Sequence, residues 1–135
     1  MDALQMISAH PDVRGDTNDA LIRAIEEMLN CGQVCTSCAD ACLAEEKVQH
    51  LVQCIRLDLD CADICFATAR IATRRAGGNV EVIGPMLQAC IEACRRCADD
   101  CERHASEMSM EHCRICAEAC RRCEQACREA LASLK

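Results

Sequence analysis

CIEACRRCADDC, residues 90–101, sets four thiols at steps of four, three and four, and CAEACRRCEQAC, residues 116–127, repeats the pattern with Glu-Ala-Cys-Arg-Arg-Cys intact. CGQVCTSCADAC, residues 31–42, carries the same C-x3-C-x2-C-x3-C spacing. Residues three and four apart are neighbours on one helical face, and a stripe of that period is the buried side of a bundle helix. The remaining thiols are Cys54, Cys61 and Cys65, a thinner version with Leu57 and Asp58 where another thiol could stand, and Cys113. Sixteen cysteines in 135 residues therefore fall almost wholly on inward stripes.

Phase locates the turns. Eleven residues make almost three full helical turns, so Cys31 and Cys42 share a face; the twelve residues from Cys42 to Cys54 would rotate an unbroken stripe by roughly 120°. A turn near residues 44–47 restores the phase. The same gap separates Cys101 from Cys113, with Ser106 and Ser109 available as caps. The middle connection is explicit in Arg74-Arg75-Ala76-Gly77-Gly78-Asn79, and Pro85 suits the early part of the helix that follows. Short loops make antiparallel neighbours. The expected fold is all-α: helices over 17–44, 46–76, 80–106 and 109–134 in an up-down-up-down four-helix bundle with a Cys-lined core. A short N-terminal helix, ended by His10-Pro11, precedes them, and residues 1–135 form one domain.

This topology gives the bundle two unlike ends. The first and third turns meet at one end, with His50, His104, Met108, Met110 and His112. Leu21, Ile25, Met28, Ile71, Ile83, Met86, Leu87, Leu131 and Leu134 gather at the other as an apolar plug. Met28 and Met86 read as core filler and His10 as terminal punctuation. His104 follows Cys101 by three and Met108 follows His104 by four, which carries a stripe into the mouth as candidate ligands; Met110 and His112 flank Cys113 similarly. His50 either joins the mouth or is a solvated helix residue. For Asp58, a partly solvated carboxylate is preferred over an inward hard ligand.

Composition narrows the function. With Phe66 as the one aromatic residue and a net charge of −7, the chain offers neither the basic face nor the stacking rings that nucleic-acid binding needs. The arginine pairs 95–96 and 121–122 are followed by acids, as on a solvated mixed-charge surface. No apolar run approaches the roughly 18 residues of a membrane span. The N-terminus MDALQMISAHPDVRGD has no basic n-region, apolar h-region or small-residue cleavage site, so the expectation is a soluble cytosolic protein. In that compartment thiols stay reduced, and dense cysteine more often means metal than disulfides.

Thiolate selects Cu(I) and Zn over harder cations. Structural zinc sites draw on C-x2-C turns, and four thiolates around each Zn²⁺ leave a charge near −2 per site. A tube of such sites would bury several uncompensated charges at several kcal/mol each. Cu(I) matches thiolates one for one, sulfurs can bridge ions, and cysteines at i and i+4, such as Cys31/Cys35 or Cys90/Cys94, can chelate from one helix. Iron–sulfur ligation fits poorly, since no cysteine precedes proline. Thiol catalysis wants one exposed low-pKa thiol rather than sixteen near-equivalent ones. A thiol-redox or disulfide-stabilised interaction protein, or a zinc sink, remain the alternatives.

The repeated stripes, the scarcity of aromatics and the His/Met mouth together resemble the bacterial cysteine-rich four-helix-bundle copper storage proteins, over about residues 17–134. The resemblance implies many Cu(I) ions bound by bridging core thiolates, a homotetramer, no enzymatic activity, and, without a signal peptide, a cytosolic member. It maps metal ligands onto Cys31, Cys35, Cys38, Cys42, Cys54, Cys61, Cys65, Cys90, Cys94, Cys97, Cys101, Cys113, Cys116, Cys120, Cys123 and Cys127. Mouth ligands map onto His104, Met108, Met110 and His112. The second helix departs from the pattern with three cysteines, so metal there is expected to be sparser or to involve Asp58 or His50. Copper donor and acceptor proteins are not specified.

Overall fold

The computed structural model describes residues 2–134. Five α-helices account for its architecture: α1 (Ala3–Ser8), α2 (Asp19–Leu43), α3 (Val52–Ala72), α4 (Val80–Met108) and α5 (Glu111–Ser133). Each long helix packs against its neighbours in sequence, and α5 closes the ring against α2. This is the antiparallel up-down-up-down bundle that the cysteine phase requires, with α1 lying against α2.

Local chemistry sets the ends. Asn18, in extended backbone, accepts a hydrogen bond from the Leu21 amide through its side chain (3.1 Å) and so caps α2. Its amide also donates to Ser133 Oγ (2.8 Å), tying the start of α2 to the end of α5. Between α4 and α5 only Ser109 and Met110 intervene. Ser109 is left-handed (φ 53°) and terminates α4, whereas Met110 precedes α5 with no side-chain cap. Ser109 thus ends one helix instead of capping the next, and Ser106 lies within α4.

The second bundle helix starts later and stops sooner than its periodicity suggests. Residues 44–47 turn as expected, but a 3-10 turn, Val48–His50, follows, and α3 begins only at Val52. Leu51, fully buried, anchors this connection: the chain must drop its one large apolar residue into the bundle before the helix can begin. At the far end α3 stops at Ala72, ahead of the turn in which Gly77 adopts φ 66° and donates its amide to Asp12 Oδ2 (3.2 Å). Pro85 lies in the second turn of α4, where it forgoes the bond to the Glu81 carbonyl.

α2 and α3 pack along their length, and Gly32 marks a close approach between them. A Cβ built on Gly32 would lie 2.7 Å from the Phe66 ring, so glycine makes room for the chain's single aromatic residue. The plug is as expected at its centre: Leu21, Ile25, Met28, Ile83 and Leu87 are buried, joined by Ile7 of α1, while Ile71, Met86, Leu131 and Leu134 are half-buried. Outside, acids answer the arginine pairs, with Arg95 and Arg96 on Glu92 (2.7 and 2.8 Å) and Arg121 on Glu102 across α4 and α5 (2.8 Å). Among the described residues no helix is long and apolar enough to cross a membrane.

Candidate metal centre

All sixteen cysteines are free and buried. Their stripes bring sulfurs into contact both along and between helices. Along α2, Cys31 and Cys35 are 3.8 Å apart, and along α3, Cys61 and Cys65 are 3.9 Å apart. Across the bundle, Cys35 reaches Cys120 (3.6 Å) and Cys116 (3.7 Å), Cys65 reaches Cys90 (3.5 Å), and Cys61 reaches Cys94 (3.7 Å). Cys90 therefore finds its near partner on α3. A soft ion with metal–sulfur bonds of about 2.3 Å sits among three sulfurs about 4 Å apart. The fold presents that spacing.

The donor groups overlap. Cys31, Cys61, Cys65 and Cys94 lie mutually within 4.8 Å, as do Cys31, Cys35, Cys61 and Cys120, then Cys35, Cys97, Cys116 and Cys120, and again Cys65, Cys90, Cys94 and Cys123. Cys31, Cys35, Cys61, Cys65, Cys94 and Cys120 each belong to two of these groups. Separate tetrahedral sites share no ligand, whereas these six sulfurs can each bridge ions, as in a cluster. Neighbouring thiols and desolvation hold Cys94 and Cys97 well above the ordinary thiol range, with Cys123 the largest influence on Cys94 and Cys101 on Cys97. Burial disfavours the thiolate form, and a thiol that keeps its proton packs as a small apolar group.

Asp58 overturns the solvated reading. It is fully buried, with Oδ1 accepting from the thiols of Cys97 (3.0 Å), Cys116 (3.3 Å) and Cys101 (3.7 Å), while Oδ2 has no partner. Desolvation by burial is the main cause that pushes its carboxyl up to about 8. The signal was present in the sequence: Cys54, Asp58, Cys61 and Cys65 follow the same four, three, four steps as the full motifs. Period decides the facing, and the residue type is then forced into a core site.

The mouth divides into contacts made and contacts not made. Cys38, Cys42, Cys113 and His112 form a further group within 4.8 Å. Nδ1 of His112 lies 3.4 Å from Cys38 Sγ and 3.6 Å from Cys113 Sγ, while its Nε2 meets Glu45 Oε2 at 3.0 Å. Met110, nearly buried, places its sulfur 4.0 Å from Cys113. His104 is buried with Nδ1 unpaired, 3.7 Å from Asp100 Oδ2. Met108 is half-buried and lines, with Met110, Glu45, Glu46, Lys47, Glu107 and Ser109, an open cleft of about 480 Å³. His50 is exposed on the 3-10 turn. Glu45 was not legible in advance, because it lies past the end of α2, where no helical period applies.

Comparison with known proteins agrees with this geometry. The family model for copper storage proteins matches residues 17–132. The structure of the copper storage protein Ccsp from Streptomyces lividans loaded with 10 copper equivalents is 50% identical, with a TM-score of 0.91, over 98% of this chain and 99% of that one. A Streptomyces lividans Ccsp carrying a histidine-to-alanine substitution is 55% identical, with a TM-score of 0.83, over 87% of this chain and 96% of that one. A structure of copper loading to a cytosolic copper storage protein from Streptomyces lividans, with five coppers, has the same identity, coverage and TM-score. No curated protein matches the chain.

Proposed function

This chain belongs to the copper storage protein family, and from that premise we propose that it stores and buffers Cu(I) in the cytosol through thiolates lining its bundle core. The overlap of the thiol groups carries the reading. Each Cu(I) that displaces one thiol proton leaves the core neutral, and each sulfur shared between two groups can bridge two ions. A dry tube can then fill without accumulating charge, which Zn²⁺ on four thiolates does not allow.

All sixteen cysteines are the storage ligands, and His104, Met108, Met110 and His112 are ligands at the mouth. Residues 1–135 act as one storage domain without enzymatic activity: with the thiols buried, none is presented to an external substrate. The protein works as a homotetramer. Val52, Leu59 and Phe66 of α3 are exposed at seven-residue spacing and form an apolar seam suited to another copy.

Titration of the reduced apoprotein against a Cu(I) chelator tests the storage role. Saturation near one ion per thiol or somewhat above is expected, and saturation at or below about four ions would overturn it. Sedimentation of the same samples tests the tetramer.

A further inference from the structure

The imidazole of His112 stands between solvent and the thiols, with one nitrogen on each side. Its Nδ1 faces Cys38 and Cys113; its Nε2 faces Glu45. Glu45 lies one residue beyond the Ala44 cap of α2, and its own amide donates to the Cys42 carbonyl at 3.2 Å. The turn that holds this carboxylate therefore also fixes Cys42, a member of the same donor group as His112. A ring nitrogen can bind a metal only through a free lone pair, and which nitrogen has it is set by the bond the other makes.

We propose that Glu45 is a positioning residue for copper capture at the mouth: by accepting the Nε2–H of His112, its carboxylate leaves the Nδ1 lone pair aimed at the group formed by Cys38, Cys42 and Cys113. This inference deepens the storage reading and rests on it for the identity of the ion. The arrangement is the carboxylate–histidine–metal relay that orients ligating imidazoles and raises their basicity. An ordinary surface ion pair would only link the two turns, and its loss would leave the ring's tautomer and its metal affinity unaffected. The pairing of Nε2 with a carboxylate and Nδ1 with two thiols distinguishes the roles, because each nitrogen then has a separate task.

Nitrogen-15 spectra of the histidine ring decide between them. In reduced apoprotein the native chain is expected to hold His112 as the Nε2–H tautomer, and Glu45→Ala to release it into a mixture of both. As Cu(I) is delivered from a buffered chelator, the Nδ1 resonance of His112 should shift at a free-copper level ten to a hundred times higher in Glu45→Ala. Glu45→Gln, whose carbonyl can accept the same bond, should restore most of both readouts. An unchanged tautomer and midpoint in Glu45→Ala, or a Glu45→Gln chain as impaired as Glu45→Ala, would overturn the proposal. A native chain that saturates at four ions or fewer would refute storage instead; the tautomer comparison, made without metal, would still judge Glu45.

Discussion

Asp58→Asn tests the buried carboxyl directly. Its pKa, about 8 in the fold, stands well above the roughly 3.9 of an unfolded chain. A folded-state pKa above the unfolded value means that the native protein binds the extra proton through the interval between them. The contribution of Asp58 to stability is therefore full below about pH 4, declines as pH rises through the window from 4 to 8, and levels off above it. Between pH 5 and pH 8 the linkage integral over these two pKa values gives a loss of roughly 3–4 kcal/mol. Asparagine keeps an oxygen for the thiols of Cys97, Cys116 and Cys101 but has no charge to bury. Urea unfolding of the reduced, metal-free chains at the two pH values should therefore show the variant nearly unaffected where the parent falls. The parent should be the more stable at pH 5 or equal, and the variant the more stable at pH 8. The exposed carboxylates are common to both chains and cancel in the difference. Parallel pH dependences would refute the assignment of a buried, largely protonated carboxyl.

Gly32→Ala should destabilise the bundle by about 1–3 kcal/mol, because the new methyl meets the Phe66 ring at 2.7 Å and α2 and α3 must part or the ring must turn outward. Thermal unfolding of Gly32→Ala with and without Phe66→Leu checks it: relief in the double variant is expected, and additivity would exclude the steric cause. Replacing His104, Met108 and His112 together by alanine should change the rate at which a chelator loads or strips copper and lower capacity by only a few ions. Replacing Cys35, Cys94 and Cys120 by serine should lower capacity with less effect on rate; stopped-flow exchange and end-point titration separate the two outcomes.

Most of the fold was legible because the thiol stripes report helical phase continuously. The turn at residues 44–47 and the break before Cys113 follow from twelve-residue gaps that an unbroken helix cannot accommodate. What phase cannot supply is the conformation between stripes. Leu51 turns inward just before α3 and delays it, and Ser109 takes a left-handed conformation that makes the α4–α5 turn only two residues long. Both depend on how neighbouring helices sit.

Asp58 and Glu45 show the two sides of this limit. Asp58 stands on a four, three, four step, and its burial followed from the period once hydrophilicity was set aside. Period outranks residue type here because rotating α3 to expose one carboxylate would also expose Cys54, Cys61 and Cys65, and the sum of three buried thiols outweighs one polar group that can be kept neutral by its proton. Glu45 has no such constraint. Its place opposite His112, 67 residues away in sequence, depends on the α2 turn and the start of α5 meeting at one end of the bundle. Topology predicts that meeting, but not the atom that each side chain presents. In this chain the core is therefore written in the spacing of its cysteines, whereas the control of what enters it is written in the turns.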